Sequence, residues 1–96
     1  MTTEEIYIEL LTEIIKSKKK LFGDLAVNKI RHIKNLFVDI NENVTSISGD
    51  PEIILREVLR EYRKLSGEFS EILAKVIMIR IMQKYPEFNL PEEFYK

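Results

Sequence analysis

The chain has 96 residues, 45% of them hydrophobic and 32% charged, with a formal net charge of −1 and no cysteine. That suffices for one small globular domain and is too apolar for a disordered chain. It excludes a disulfide framework and thiol catalysis, and a charge near zero exerts no overall pull toward nucleic acid or membrane.

The first expected element is set by its N-terminal cap. Thr2 with Glu5 three residues on forms a capping box, and Tyr7, Leu10, Leu11, Ile14 and Ile15 recur at helical spacing, which predicts an amphipathic helix over residues 3–20. Lys16, Lys18, Lys19 and Lys20 load its end with positive charge, favoured there by the helix dipole. Gly23 breaks the pattern, and Asp24 can cap the next helix.

Ala26, Ile30, Ile33, Phe37, Ile40, Val44 and Ile47 then alternate by four and three, the spacing of a heptad seam. They predict a second helix over residues 24–44, although Asn41, Asn43, Thr45 and Ser46 are poor helix formers and leave its last turns open. Asp50-Pro51-Glu52 reads as an N-cap, a first-turn proline and a dipole-matched acid. Leu55, Val58, Tyr62, Leu65, Phe69, Ile72, Val76 and Ile79 carry one phase straight across Ser66-Gly67, so a single long helix is expected over residues 51–85, bent or split at Gly67. Pro86 ends it, and residues 86–96 form a tail in which Pro91 can start one more helical turn. No period-two strand and no repeat stands out. The expected fold class is all-α, a small bundle of three or four long amphipathic helices with coiled-coil-like seams, in one domain.

The stretch SEILAKVIMIRIMQK, Ser70 to Lys84, is the most apolar. Between Ile72 and Met82 only Lys75 and Arg80 are charged. A helix apolar almost all round belongs in an interior, and this one is shorter than the roughly 20 residues a bilayer needs, so no membrane role is expected. It reads as the central helix of the bundle or the seam of an oligomer. Phe69, Ile72, Val76, Ile79, Arg80 and Met82 are the expected interface with a protein partner or a second copy. Arg80 either extends its head to water or pairs with a carboxylate on another helix or subunit, with Asp39 and Glu42 as candidates.

Charge is uneven along the chain. Residues 16–34 hold seven bases, Lys16, Lys18, Lys19, Lys20, Lys29, Arg31 and Lys34, against Asp24 alone. Such a block serves dipole matching and solubility, or it binds nucleic acid; the latter is the alternative function. Arg56, Arg60, Arg63 and Lys64 form a second basic stripe with Glu52, Glu57 and Glu61 within a turn, which suggests an exposed face with weak ion pairs. His32, the one histidine, lies opposite the heptad seam and reads as a solvated residue. A phosphorelay histidine would want a small residue and a lysine-glycine pair after it, where this chain has Ile33-Lys34-Asn35. The three glycines stand apart, so there is no phosphate loop, and no cluster of His, Cys or carboxylates suggests a metal. No enzymatic activity, cofactor or small-molecule substrate is expected. Abundant Ile, Lys and Glu suit a thermophile, and the acidic start MTTEEIYIEL, unlike an export signal, suits a cytoplasmic protein.

The order of these elements is an acidic first helix, a basic turn, a long second helix, a capped third, then SGEFSEILAKVIMIRIMQKY with Arg80 before Gln83-Lys84. It resembles the helical domain of GINS subunits, the non-catalytic scaffold of the archaeal and eukaryotic replicative helicase. The resemblance implies an assembly module of DNA replication. Two features depart from that family. LFGDLAVNKI stands where an acidic-aromatic element belongs, with the similar LPEEFYK at the far end, and the small β domain is missing, as in an isolated helical domain or a fragment.

Overall fold

A computed structural model describes all 96 residues. The first helix, α1 (Thr3–Phe22), is the spine of the molecule. Its capping box is formed: Thr2 Oγ1 accepts from the Glu5 N–H at 3.1 Å, and Glu5 Oε1 accepts from the Thr2 N–H at 2.9 Å. Leu10, Leu11, Ile14 and Ile15 are completely buried at 0% exposure. Every other major element packs around them: α2 (Asp24–Ile30), a hairpin of β1 (Leu36–Val38) and β2 (Val44–Ile47), α3 (Pro51–Ser66), and α4 (Glu68–Lys84). The tail closes the far end, where Phe88 sets its ring edge-on to Tyr7 at 5.1 Å and a short 3-10 turn, Glu92–Phe94, follows Pro91. The class is all-α, four helices with one small two-stranded sheet.

The expected second helix over residues 24–44 is corrected: α2 ends at Ile30, and the rest becomes the hairpin. Side-chain competition for the backbone explains the change. Asp39 Oδ1 accepts from the N–H groups of Asn41 (2.8 Å) and Asn43 (2.9 Å), building a turn where a helix would need those donors. Asn35 and Glu42 adopt positive φ, which ends any helical run. The pairing Leu36↔Ile47, Phe37↔Ser46, Val38↔Val44 contains an irregularity after Phe37. It lets Val44 and Ile47, three apart, both face the core, whereas a regular strand would send them to opposite sides. The helix-like spacing is thus reproduced by an irregular hairpin, while Phe37 and Ile40, also in the expected seam, lie exposed.

The expected long helix over residues 51–85 is divided at Gly67. Gly67 (φ 59°, ψ −137°) closes α3 and opens α4, and Gly23 (φ 62°, ψ −144°) does the same between α1 and α2. The two corners share one hydrogen-bond pattern. Each glycine N–H donates four residues back, to Lys19 (2.8 Å) and Arg63 (2.7 Å), and each glycine carbonyl accepts three residues on, from Ala26 (3.1 Å) and Ser70 (3.2 Å). A side chain at these angles is strained even though no atom lies within 4 Å of the added carbon.

The corner geometry sets the sign of a simple test. Gly67→Ala is expected to lower the unfolding free energy by about 1–3 kcal/mol, and Gly23→Ala similarly, by urea denaturation. In an unbroken helix Gly67→Ala would instead add about 0.5–1 kcal/mol.

Candidate interaction site

α4 differs from α3 in how its apolar residues are placed. α3 is strongly amphipathic, whereas α4 carries apolar residues nearly all round. Ser70, Ala74, Ile77, Met78 and Ile81 enter the interior. On the other side Phe69, Ile72, Val76 and Ile79 are 54%, 60%, 57% and 43% exposed. The expectation of a central, mostly buried α4 is therefore corrected: α1 holds the centre, and α4 is covered on one side only. The bare residues recur at spacings of three, four and three, the geometry of a helix–helix seam. Met82, expected in the same interface, is half-buried against the core.

Ion pairs flank this stripe along the antiparallel α1–α4 seam. Arg80 is exposed and lies 3.5 Å from Glu13, and Lys84 and Tyr85 both donate to Glu9, at 2.8 and 2.6 Å. Those two donors hold the Glu9 carboxyl below its usual range. Arg80 thus meets a carboxylate on another helix, but neither of the expected ones. Glu42 is bonded to Lys19, and Asp39 is occupied by its own turn.

Not every member of the basic block is free at the surface. Lys16, Lys20, Arg31 and Lys34 are exposed and Lys29 is half-buried, while Lys19 is tied to Glu42. Lys18 is a correction, being 1% exposed. Its Nζ donates to the Ser70 carbonyl at 3.3 Å and lies 5.9 Å from the centre of the Tyr62 ring, with no carboxylate paired to it. Burial lowers its pKa. The signal was present in the sequence, since Lys18 stands four residues after Ile14 and seven after Leu11 on the apolar stripe of α1. Nearby, Tyr62 OH donates to the Ala26 carbonyl at 3.0 Å, and burial pushes its pKa up.

His32 is exposed, its Nε2 3.5 Å from Glu61. No three His, Cys, Asp or Glu side chains gather as a metal site. The second basic stripe is more than an exposed face with ion pairs of its own. Lys64 pairs with Glu61 at 3.2 Å on the same helix, but Arg63 reaches Glu71 of α4 at 2.8 Å and Arg56 pairs with Glu93 of the tail. Their row lines a cleft between α3 and α4 that spacing within one helix could not reveal.

The arrangement defines an all-α domain with one bare helix seam, and none of its helices is long and apolar enough to cross a membrane. Compared with known protein families, with curated proteins and with solved structures, the chain matches none of them.

Lys18 supplies a test of the packing behind the seam. In the folded chain it holds its proton less tightly than an unfolded lysine at 10.5, so its penalty is greatest at neutral pH and fades as pH rises toward that value. Lys18→Met is expected to raise stability at pH 7 by about 1 kcal/mol or more. The gain should shrink as pH approaches 10.5. A variant less stable than wild type at pH 7, by urea denaturation, contradicts a buried, unpaired lysine.

Proposed function

We propose that this chain is a non-enzymatic assembly module that docks a partner helix along the outer face of α4. The observation that carries the proposal is the exposed Phe69-Ile72-Val76-Ile79 seam. Four large apolar side chains lie about half-exposed with helix-pairing periodicity, a regular row that the other exposed apolar residues, such as Phe37, Ile40 and Ile53, do not make. Fully burying such a side chain is worth about 1.5–3 kcal/mol, and each of these is already about half covered, so covering the seam adds roughly half of that per residue and can drive association. Arg80 and Glu13 at its edge can set the orientation of the incoming helix rather than its affinity.

A second copy satisfies the seam most simply, because an apolar stripe is its own complement in a two-fold dimer. The GINS-like resemblance offers a setting for the same chemistry, a scaffold of DNA replication built from helical subunits, and that setting rests on the resemblance alone. Of the features behind it, the acidic first helix and the capped third are formed, and the long second helix is not.

Sedimentation equilibrium tests the proposal. The wild-type chain is expected to self-associate at micromolar concentration and Val76→Asp to remain monomeric, with helical content unchanged because Val76 makes little use of the core. A wild-type chain that stays monomeric to millimolar concentration contradicts seam-driven self-association.

A further inference from the structure

On a different face of α4 from the seam, α3, α4 and the tail enclose a cleft of about 420 Å³. Pockets that hold ligands typically run about 300–1,000 Å³. Leu59, Met78 and Phe94 supply apolar lining, and the charged side chains around them are Arg56, Arg60, Arg63, Lys75 and Lys96 against Glu71 and Glu93. Five bases face two acids in the lining, and Lys96 is held besides by Glu92 of the tail at 3.1 Å.

The pairing within the arginine row is informative. Arg56, Arg60 and Arg63 fall at spacings of four and three, on one face of α3. The outer two are satisfied, Arg56 by Glu93 and Arg63 by Glu71. Arg60 between them has no carboxylate within 4.0 Å, although Glu57 and Glu61 border its other side, and Lys75 on the α4 wall has none either. The tail already displays the chemistry this row accepts. Glu93 sits on the Arg56 guanidinium while the next residue, Phe94, is buried with its ring centre 5.4 Å from the same guanidinium. A carboxylate followed by an aromatic ring is thus held at one end of the row, while Arg60 in its middle carries no carboxylate and has the half-buried Leu59 beside it.

We propose that the cleft binds an acidic peptide segment of a partner protein, with a carboxylate at Arg60 and Lys75 and an adjacent apolar side chain against the half-buried Leu59. Charge complementarity and the Glu93-Phe94 precedent in the same row favour a peptide. A nucleic-acid backbone fits less well, because Glu71 and Glu93 interrupt the basic row and would repel successive phosphates, and the apolar lining gives a phosphate nothing to contact.

Fluorescence anisotropy with a labelled peptide built of Glu-Glu-Phe triplets tests this on the full chain at low salt. Saturable binding is expected, weakened about tenfold or more by the double change Arg60→Glu with Lys75→Glu, and lost with a Gln-Gln-Phe control peptide. If the double variant loses its helical circular dichroism, Lys75→Gln alone is expected to weaken binding several-fold. Ile72→Asp is expected to leave binding unchanged, which separates the cleft from the α4 seam. Equal binding of the control peptide, indifference to the substitutions at Arg60 and Lys75, or displacement of the peptide by inorganic phosphate or a single-stranded oligonucleotide but not by unlabelled Glu-Glu-Phe peptide would overturn it.

Discussion

The burial of one stripe of α1 is the constraint on which the rest of this structure depends. Leu10, Leu11, Ile14 and Ile15 lose all contact with water, and each such side chain contributes about 1.5–3 kcal/mol when buried. No single neighbour can cover them. α2 and α3, the β hairpin and α4 each take a share, and Tyr7 brings in the tail through Phe88. The hairpin's role is tied to this stripe chemically as well, since Thr12 Oγ1 accepts the Val44 N–H at 3.0 Å. Lys18 is the one charged residue on the same stripe, where helical geometry forces it inward without a carboxylate to meet it.

Because α1 occupies the centre, α4 is left at the periphery with neighbours on only part of its circumference. Its composition is that of an interior helix and its position is that of an outer one. That mismatch sets its outward stripe apart from the other exposed apolar residues, which stand without such a periodic row. A 96-residue chain has limited surface to hide apolar residues in, and this one has used its shielding on α1. The glycine corners make the arrangement possible. By turning the chain sharply at Gly23 and Gly67, they bring α2 against α1 and fold α4 back beside α3, which also creates the cleft between the last two helices.

Much of this was legible in the residues, and the failures have definite causes. The capping box at Thr2, the cap at Asp50 with Pro51, and the turn after Pro91 were readable because local chemistry alone decides them. The all-α class came from periodicity. The hairpin was missed because Val44 and Ile47 keep a three-residue spacing through an irregular strand pairing, so their inward phase mimics a helix. The Asp39 and Asn43 chemistry that overrides it was visible only as a weak helix end. The break at Gly67 was hidden by the same means, an apolar phase that continues across a corner. The apolar composition around Phe69, Ile72 and Val76 was legible but not that these residues face outward, while the cleft depends on Glu71 and Glu93 arriving from other elements and had no signature in the spacing of Arg56, Arg60 and Arg63.

The natural absence of cysteine allows this division between a sealed spine and a bare outer seam to be probed one position at a time. The most direct measurement is the rate of thiol labelling of Ile72→Cys and Val76→Cys against Ile14→Cys, at the lowest workable protein concentration. Positions 72 and 76 are expected to react nearly as fast as a free thiol and to become protected as concentration rises, with position 14 reacting only through unfolding. Slow labelling at 72 and 76 in the dilute monomer, or labelling at 14 as fast as theirs, would contradict the account.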